Sequence, residues 1–485
     1  MEKKKSLKKL FAVLAIVMCF FVFVPFVFVG CKDNNTAYVV SIEKTSSQGL
    51  VDIYTITYSD GKTSTFTVTN GKNGSDGNDG SDGQDVSIQD VYNKYVEEYG
   101  EISYSEFLKI YLSLSQGDNS KIINGCLQSC LKVYTEFKVT TTTIVGWQVQ
   151  NIKNVSVMCG SAVIYKMDTD YTYVITNYHV VYNQNANADN GTNIASKIVG
   201  YLYGSEASPT DTGTKQNGYT VYSYGDYGVE FEYVGGSIDY DIAVLKVETN
   251  KIKAINQNVK QVSIANDYYV GQTAIAIGNP ENEGISATEG IVSVDNEYIT
   301  LAIDNTSRNY RSIRIDTAIY GGSSGGGLFN VYGELIGITN AGNNTDQNIN
   351  YAIPLEIVKG VTENILYYYD GTNPSQVKKA TLGITVTTAN SKYVYDTTLG
   401  YGKIKEDVII ASVAENSLAS EFGLQQNDII ISVSINSNKI NFNRSFEIGD
   451  FLLNVRAGDE VCFEIKRNNE TIDTGVYTIT NGDLI

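Results

Sequence analysis

Residues 176–181 have the sequence Thr-Asn-Tyr-His-Val-Val, and His179 within this stretch is the only histidine among the 485 residues of the chain. Imidazole is the one side chain whose ordinary pKa lies close to neutral pH. A single imidazole cannot form a metal site with several histidine ligands, and any triad of serine, histidine and an acid must use His179. The fold that could contain such a triad depends on where the nucleophile and the acid lie relative to it.

The candidate nucleophile lies in the segment Gly322-Ser323-Ser324-Gly325-Gly326-Gly327. Glycines around a serine let the backbone turn tightly and bring N–H groups close to a reacting carbonyl. The spacing Gly-x-Ser324-x-Gly also fits the nucleophile elbow of α/β-hydrolases, but that fold places its histidine after the serine. No histidine follows Ser324, so that assignment fails. The order histidine, aspartate, serine, found in chymotrypsin-type proteases, remains open.

The acid of such a triad should lie between His179 and Ser324. Asp241 directly precedes the apolar run Ile242-Ala243-Val244-Leu245. If this run forms a strand, the Asp241 carboxylate lies at the N-terminal end of that strand and is partly buried. Asp239 is the alternative acid.

Five segments in a fixed order resemble the HtrA (Deg) family of trypsin-like serine proteases across residues ~155–365. They are 176–181, 241–246, 276–280 with 289–293, 316–326, and 350–354. The resemblance implies a mostly β protein whose protease domain is a chymotrypsin-like double β-barrel. Short apolar runs broken by Gly, Asn and Asp independently favour an all-β sandwich or barrel in this region.

The resemblance also implies a role for each residue of the constellation. Ser324 would attack the scissile carbonyl, His179 would accept and return the proton, and Asp241 would hold the imidazole tautomer. The N–H groups of Gly322 and Ser324, with Ser323 between them, would form the oxyanion hole. This chemistry requires no metal and no cofactor.

In trypsin-like folds the floor of the S1 pocket lies six residues before the nucleophile. That position is Ala318 here, followed by Ile319, and neither offers a carboxylate to pair with Lys or Arg. We therefore expect cleavage after small or medium apolar residues. The segment Ile336-Gly337-Ile338 completes the predicted substrate-binding set.

Residues 380–485 resemble a PDZ domain. The segment Thr381-Leu382-Gly383-Ile384 is similar to the carboxylate-binding loop of that family, and residues 423–430 are similar to its Gly-Leu-x-x-Gly-Asp block. Backbone N–H groups of such a loop bind a peptide C-terminus, and the peptide adds as a β-strand beside it. The resemblance thus predicts binding of C-terminal or extended peptides.

The N-terminus has the pattern of an export signal. Five lysines precede an apolar run from Leu10 to Gly30, and Cys31 follows a small residue as in a bacterial lipobox. We expect lipidation at Cys31, with an uncleaved helical anchor as the alternative. Either would place the body on the extracytoplasmic face of the bacterial cell membrane.

The predicted organisation divides the chain into seven parts. They are a signal or anchor (1–31), a small β module (32–70), a polar linker with glycine at every third position (71–86), short helices (87–130), the protease domain (131–366), a linker (367–379) and the PDZ domain (380–485). The net charge of −18 disfavours nucleic-acid binding, because phosphate contacts need a basic patch.

The sequence therefore predicts a membrane-tethered, extracytoplasmic serine endopeptidase that cleaves unfolded or damaged exported proteins. The family resemblance implies a homotrimer or a larger assembly. Two alternatives stay open: a proteolytically silent chaperone or peptide-binding protein on the same scaffold, and a surface adhesion protein, suggested by the glycine-rich linker and the small β module.

Overall fold

A computed structural model describes most of the chain in eleven stretches. They are residues 39–48, 51–59, 61–69, 88–100, 102–104, 107, 119–145, 147–186, 192–343, 346–397 and 399–485. The predicted signal with Cys31 and the glycine-rich linker 71–86 lie outside the described residues. The chain divides into two compact units, residues 1–102 and 103–485. Within the described ranges, no helix is long and apolar enough to cross a membrane.

The first unit contains the predicted small β module. Strands β1 (Val39–Gln48), β2 (Val51–Tyr58) and β3 (Thr63–Thr69) form an antiparallel sheet in the order β1-β2-β3. Tyr54 and Phe66 stack across β2 and β3 with ring centroids 5.3 Å apart. Helix α1 (Ile88–Tyr99) is the first of the two predicted short helices.

The second unit begins with helix α2 (Ser120–Leu127) and a seven-stranded sheet in the order β10-β7-β4-β5-β6-β12-β11. Its strands are β4 (Cys130–Val145), β5 (Gln148–Met167), β6 (Tyr171–Thr176), β7 (Lys197–Leu202), β10 (Val229–Glu230), β11 (Glu232–Ser237) and β12 (Ile242–Glu248). Strands β8 (Thr210–Gln216) and β9 (Tyr219–Ser223) form a separate hairpin, and α3 (Tyr178–Val181) and α4 (Thr249–Ile255) are short helices.

A second seven-stranded sheet follows in the order β13-β18-β17-β14-β15-β16-β19, and an additional pairing of β18 with β19 closes it into a barrel. Its strands are β13 (Ser263–Ile264), β14 (Thr273–Gly278), β15 (Ser286–Ala302), β16 (Ser307–Ile315), β17 (Gly327–Phe329), β18 (Glu334–Asn343) and β19 (Asp346–Pro354). Helix α5 (Leu355–Tyr368) directly follows β19.

Alternation along β12 explains how the two sheets share a core. Ile242 and Val244 pack with Ile275 and Ile277 of β14, whereas Ala243 and Leu245 pack in the interior of the first sheet. Successive strand side chains point to opposite faces, so both faces of β12 are buried and its first four residues, 242–245, are all apolar. The resulting apolar layer between the sheets places residues that precede β12 beside loops of the second barrel.

The C-terminal part is a third sheet in the order β20-β21-β22-β24-β25. Its elements are β20 (Ile384–Asp396), β21 (Tyr401–Val413), α6 (Leu418–Glu421), β22 (Ile429–Ile435), β23 (Asn438–Asn441), α7 (Glu447–Asn454), β24 (Glu460–Arg467), β25 (Glu470–Asp473) and β26 (Tyr477–Thr478). Strand β20 is an edge strand of this sheet, which is the place where a peptide strand can add.

The predicted linker 367–379 is held against the protease part. The Ser375 N–H donates to Val234 O (2.8 Å), and Gly236 N–H donates to Ser375 O (3.3 Å). A Cβ at Gly235 would collide with Ser375 O, so glycine permits this approach. Asn364 of α5 also pairs with the linker backbone at Lys378.

An ion pair joins the protease part to the C-terminal sheet. Arg311 Nη2 donates to both carboxylate oxygens of Asp450 at 2.6 and 2.7 Å, and both side chains are largely buried. Tyr401, at the tip of the β20–β21 hairpin, stacks on Tyr269 with centroids 4.0 Å apart. Removing either partner of such a buried pair would leave an uncompensated buried charge, which typically costs about 3–5 kcal/mol.

Candidate active site

The backbone and the side chain of His179 both bind Asp241. The His179 N–H donates to Asp241 Oδ1 (2.9 Å), and His179 Nδ1 lies 2.8 Å from Asp241 Oδ2. Asn177 Nδ2 donates to the Asp241 backbone carbonyl at 3.0 Å. Two contacts to one carboxylate fix both the position of helix α3 and the plane of the imidazole. This arrangement assigns Nδ1–H to the donor role and leaves Nε2 as a potential base.

Asp241 raises the basicity of His179. Burial is the largest single influence on the ring and lowers its pKa, but the charge of Asp241 and the hydrogen bond to it together outweigh burial. The net result is that the pKa of His179 is raised above its ordinary value of 6.5. About a third of the ring (31%) remains exposed, so a substrate can reach it.

The structure separates the two candidate acids. Asp241 is completely buried and has a φ of 52°, a left-handed conformation that aspartate tolerates better than most residues. Asp239 is 70% exposed and accepts from Arg308 Nε at 3.0 Å. Of the two, only Asp241 binds His179 among the contacts of the described residues.

The loop containing Ser324 packs directly on the segment containing His179. A Cβ at Gly325 would collide with Thr176 Oγ1, and a Cβ at Gly160 would meet both Val180 and the Ser324 carbonyl. The Ser161 N–H also donates to Ser324 O at 2.8 Å. Glycine is required at 160 and 325 because these backbones approach so closely, and the approach places the Ser324 loop against Thr176 and Val180, which lie on either side of His179 in the chain.

The hydroxyl of Ser324 makes a different hydrogen bond from the one that catalysis needs. Ser324 Oγ donates to the backbone carbonyl of Asn340 at 3.1 Å. Rotation of the Ser324 side chain would transfer this hydrogen bond toward His179 Nε2. Loose catalytic hydrogen bonds are common before substrate binds, so this geometry is compatible with a competent triad.

The predicted oxyanion hole contains two available N–H groups. Ser323 N–H donates to Tyr320 O (3.0 Å), which closes a turn with Gly322 at a φ of 95°. Glu281 N–H holds the Gly321 carbonyl at 2.6 Å. In a trans peptide the carbonyl and the following N–H point in opposite directions, so Gly322 N–H points away from Glu281. Among the backbone hydrogen bonds of the described residues, the N–H groups of Gly322 and Ser324 have no acceptor, while that of Ser323 serves the turn.

A small cavity of about 10 Å³ lies beside the predicted S1 floor. Its lining residues carry no charge: they are Ala276, Ile277, Gly278, Pro280, Ser286, Thr288, Ala318, Ser323 and Thr339. Thr288 Oγ1 donates to Ala318 O at 2.9 Å and fixes this wall. Ile319 is buried and packs in the core of the second barrel.

The structure places the predicted segment 336–338 in the protein interior. Ile336 and Ile338 are completely buried, and Gly337 faces the Ile353 carbonyl. The part of β18 that approaches Ser324 is the next one along the chain, Thr339 and Asn340. Substrate contact on this strand is therefore expected after residue 338.

The predicted carboxylate-binding loop is fixed by its carbonyl groups. Leu382 O accepts from Ala419 N–H (2.9 Å), and Gly383 O accepts from Ala414 N–H (2.8 Å). The N–H groups of the following residues, Gly383 and Ile384, point the opposite way. Gly383 has a φ of 75°, and Thr381 is exposed at the start of the loop.

Comparison with known protein families agrees with this architecture. Residues 160–338 match the model of the trypsin-like peptidase domain, and residues 380–478 match the model of the PDZ domain. The chain therefore contains a trypsin-like peptidase domain followed by a PDZ domain, the combination that the resemblance to the HtrA family implies. Its mostly β fold, with a closed trypsin-like barrel followed by a PDZ domain, is the one that the sequence predicts.

Several curated bacterial proteins are similar to this chain. The serine protease Do-like HtrA of Bacillus subtilis (strain 168) is 26% identical over 64% of the chain and 61% of the relative. The serine endoprotease DegS of Haemophilus influenzae is 30% identical, and the match covers 42% of the chain and 54% of that relative. The periplasmic serine endoprotease DegP of Escherichia coli (strain K12) is also 30% identical, and the match covers 57% of the chain and 48% of that relative. The chain thus spans about half to three-fifths of the length of these relatives.

Two solved structures are similar to the chain. The HtrA-type protease AlgW with decapeptide has a TM-score of 0.44 and 22% identity, covering 73% of the chain and 96% of that structure. The serine endoprotease from Yersinia pestis has a TM-score of 0.40 and 23% identity, and the match covers 75% of the chain and 97% of that structure.

Sequence reasoning missed the polar residues that support the candidate active site. Ser161 Oγ donates to Gly322 O (2.8 Å) and accepts from Asn279 N–H (2.8 Å), which fixes the serine loop. Thr339 Oγ1 donates to Ser323 O at 2.5 Å. The side chain of Asn340 is buried, and neither of its polar atoms has a partner in the described structure. Isolated polar residues within apolar runs, such as Ser161 and Thr339, are the sequence signal that could have indicated them.

Proposed function

We propose that this chain is a serine endopeptidase that acts through an acyl-enzyme. The observation that supports this most strongly is the pair of contacts from His179 to the buried Asp241 beside the loop of Ser324. A structural histidine does not need a buried carboxylate on Nδ1 together with a side chain that is about a third exposed. A general base needs both.

The reaction would proceed in two half-steps. Ser324 Oγ rotates away from Asn340 O, loses its proton to His179 Nε2 and forms a bond to the scissile carbonyl carbon. His179 then gives the proton to the leaving amine as the C–N bond breaks. Water repeats the sequence on the ester, and Asp241 stabilises the imidazolium in both halves.

The tetrahedral intermediates would be stabilised by the N–H groups of Gly322 and Ser324. Each such donor typically contributes about 3 kcal/mol to transition-state stabilisation. The turn that presents them is held from outside by Glu281 and Ser161, so little reorganisation is needed during the reaction.

Substrates are proposed to be unfolded or damaged exported polypeptides. The small uncharged cavity beside Ala318 favours a small apolar side chain before the cleaved bond. Folded proteins bury such side chains, whereas unfolded ones expose them. The edge strand β20 and the loop 381–384 would bind a free C-terminus or an extended segment of the same chains.

We further propose that the protein is tethered to the outer face of the cell membrane and that it assembles as a trimer or larger oligomer. The apolar run before Cys31 supports the tether. A clickable fatty acid fed to expressing cells should label the wild type and not Cys31→Ser. Cys19→Ser is the matched control and should keep the label; equal labelling of both variants would disprove lipidation at Cys31.

Casein degradation tests the proposed activity. Ser324→Ala should lose degradation to background, whereas Ser223→Ala, at an exposed serine of β9, should retain it. Thermal unfolding of both variants should match that of the wild type. Unchanged degradation by Ser324→Ala would reject the protease and favour a silent peptide-binding protein.

A further inference from the structure

Strands β4 and β5 form a hairpin that projects far beyond the first sheet. Their register is unbroken from Cys130 opposite Val163 to Val145 opposite Gln148. The residues of β4 up to Phe137 are mostly buried, whereas the described residues of the segment 138–155, which we call the arm, are half-buried at its base and mostly exposed beyond it. At about 3.3 Å per residue, the seven residues from Val139 to Val145 extend ~23 Å.

The β8–β9 hairpin supports the base of the arm. Thr140 Oγ1 lies 2.9 Å from the hydroxyl of Tyr219, and Lys153 Nζ donates to Asn217 O at 3.0 Å. The ammonium groups of Lys138 and Lys153 also lie 5.8 and 5.1 Å from the Tyr219 ring centroid. The base is therefore fixed, and the arm is a directed projection rather than a loose loop.

The tip of the arm is apolar and exposed. Trp147 exposes its entire side-chain area (103% of the reference), and the cross-strand pair Ile144 and Val149 is 73% and 68% exposed. Trp147 is also the only tryptophan in the chain. Three large apolar residues at one exposed turn form a contact surface that a solitary exposed side chain would not.

The charge around this tip differs from that of the rest of the chain. The arm contains Lys138 and Lys153 and no acidic residue, whereas the whole chain carries a net charge of −18. Tryptophan concentrates at the interface between lipid headgroups and acyl chains. The four threonines at 140–143 suit the headgroup layer between the lysines and the tip.

We propose that Ile144, Trp147 and Val149 insert into the interfacial layer of the bilayer to which the chain is tethered. The proposal rests on the tether of the proposed function. The tether supplies a high effective concentration, so a tip of three side chains is sufficient although it would bind weakly alone. Insertion is shallow, because the outer edges of a two-stranded ribbon cannot satisfy their backbone groups in hydrocarbon. The tip then fixes the orientation of the protease at the membrane surface.

Because Trp147 is the only tryptophan, its fluorescence reports on the tip directly. We would reconstitute the full chain in phosphatidylcholine vesicles, with and without bromine on the acyl chains near the headgroup. The expected result is a blue-shifted emission that brominated lipid quenches and that aqueous iodide does not. The double variant Ile144→Ser, Val149→Ser should lose most of the blue shift and of the quenching by lipid.

A relocated tryptophan provides the matched control. In Trp147→Phe combined with Tyr332→Trp, the reporter moves to an exposed turn between β17 and β18. Its emission should be quenched by iodide and not by brominated lipid. Equal lipid quenching at 147 and 332 would mean that proximity alone explains the signal, and would overturn insertion.

Vesicle flotation separates failure of the tip from failure of the tether. If the protein floats with the vesicles but brominated lipid does not quench Trp147, insertion is overturned and the tether is retained. Absence of both flotation and quenching overturns both proposals. A blue shift that depends on protein concentration and needs no lipid would assign the tip to a second copy of the chain, and would also overturn insertion.

Discussion

The catalytic cluster and the peptide-binding loop solve the same physical problem in different ways. In the proposed function, each presents backbone N–H groups to a negatively charged oxygen, at Gly322 and Ser324 in one site and at Gly383 and Ile384 in the other. The catalytic cluster assembles segments far apart in sequence and is fixed by side chains such as Asp241 and Ser161. The peptide loop is one contiguous stretch, fixed by backbone bonds to its own domain. Function in the first should therefore depend on distant residues, and in the second on local backbone geometry.

The largest difference between the two sites should come from His179→Ala. Removing the general base should lower kcat by about 10⁶-fold, as expected when one member of a triad is lost. Binding of a random decapeptide library with free C-termini should not change, because the PDZ domain contributes nothing to the triad. Peptidase kinetics and library capture on one preparation test this; a loss of both would show that the sites are not independent.

Asp241→Asn should have the next largest effect and change the pH profile. Neutral His179 is the active form, so kcat/KM of the wild type should rise with pH through a midpoint above 6.5, since the pKa of His179 is raised. Loss of the carboxylate removes the groups that raise this pKa, and burial then lowers it. We expect kcat/KM about 10⁴-fold lower, with its midpoint at lower pH.

The profile of Asp241→Asn should be measured across about pH 5 to 9, where imidazole titrates. Asp239→Asn is the matched control, because Asp239 is exposed and binds Arg308 instead. It should keep both the rate and the midpoint. If Asp239→Asn shifted the midpoint and Asp241→Asn did not, the identity of the acid would be wrong.

Gly322→Ala tests the catalytic backbone. An added Cβ would collide with Asn279 O, and the φ of 95° is strained for alanine, so the turn must shift and its N–H must move. We expect kcat to fall about 10²–10³-fold. Gly271→Ala has a similar φ (91°) with open space around the Cβ, and should keep its activity. Similar losses in both variants would attribute the effect to strain alone.

Gly383→Ala makes the corresponding change in the peptide loop. Its Cβ would collide with Ser417, so the N–H groups of residues 383 and 384 should lose their alignment. Each lost hydrogen bond to a carboxylate is worth about 1.5–3 kcal/mol, so capture of free C-termini should weaken at least about tenfold. Cleavage of a short chromogenic peptide should not change.

Gly400→Ala is the control for Gly383→Ala, since it has the same φ of 75° and no neighbour within 4 Å. It should bind the peptide library normally. Decapeptides with amidated C-termini should bind poorly to every variant. Equal capture of amidated and free peptides would contradict recognition of the carboxylate.

Sequence order predicted the triad because the chain has a single histidine. That scarcity fixed His179, and the order of residues then excluded the hydrolase elbow at Ser324. The choice between Asp239 and Asp241 needed the structure to display which carboxylate is buried, although the apolar run after Asp241 already favoured it. The hydrogen bond from Ser324 to the Asn340 carbonyl could not be predicted from the sequence, because every residue type has a backbone carbonyl.

Apolar runs in the sequence predicted which segments are buried, but they did not predict which residues lie at the surface. The run Leu335–Ile338 is buried on both faces of its strand, so its composition gave no indication of where substrate contact begins. Trp147 has the composition of a core residue and is fully exposed. In both cases the packing of distant strands decides exposure, and a local pattern does not contain that information.

Labelling with a serine-directed fluorophosphonate probe tests the central claim most directly. The probe reacts only with a serine that a base activates and an oxyanion hole supports, so labelling tests the serine, the base and the oxyanion hole together. Mass spectrometry should find the adduct on Ser324 in the wild type, and none in His179→Ala. An adduct on another serine, or labelling of Ser324 that does not depend on His179, would contradict the account.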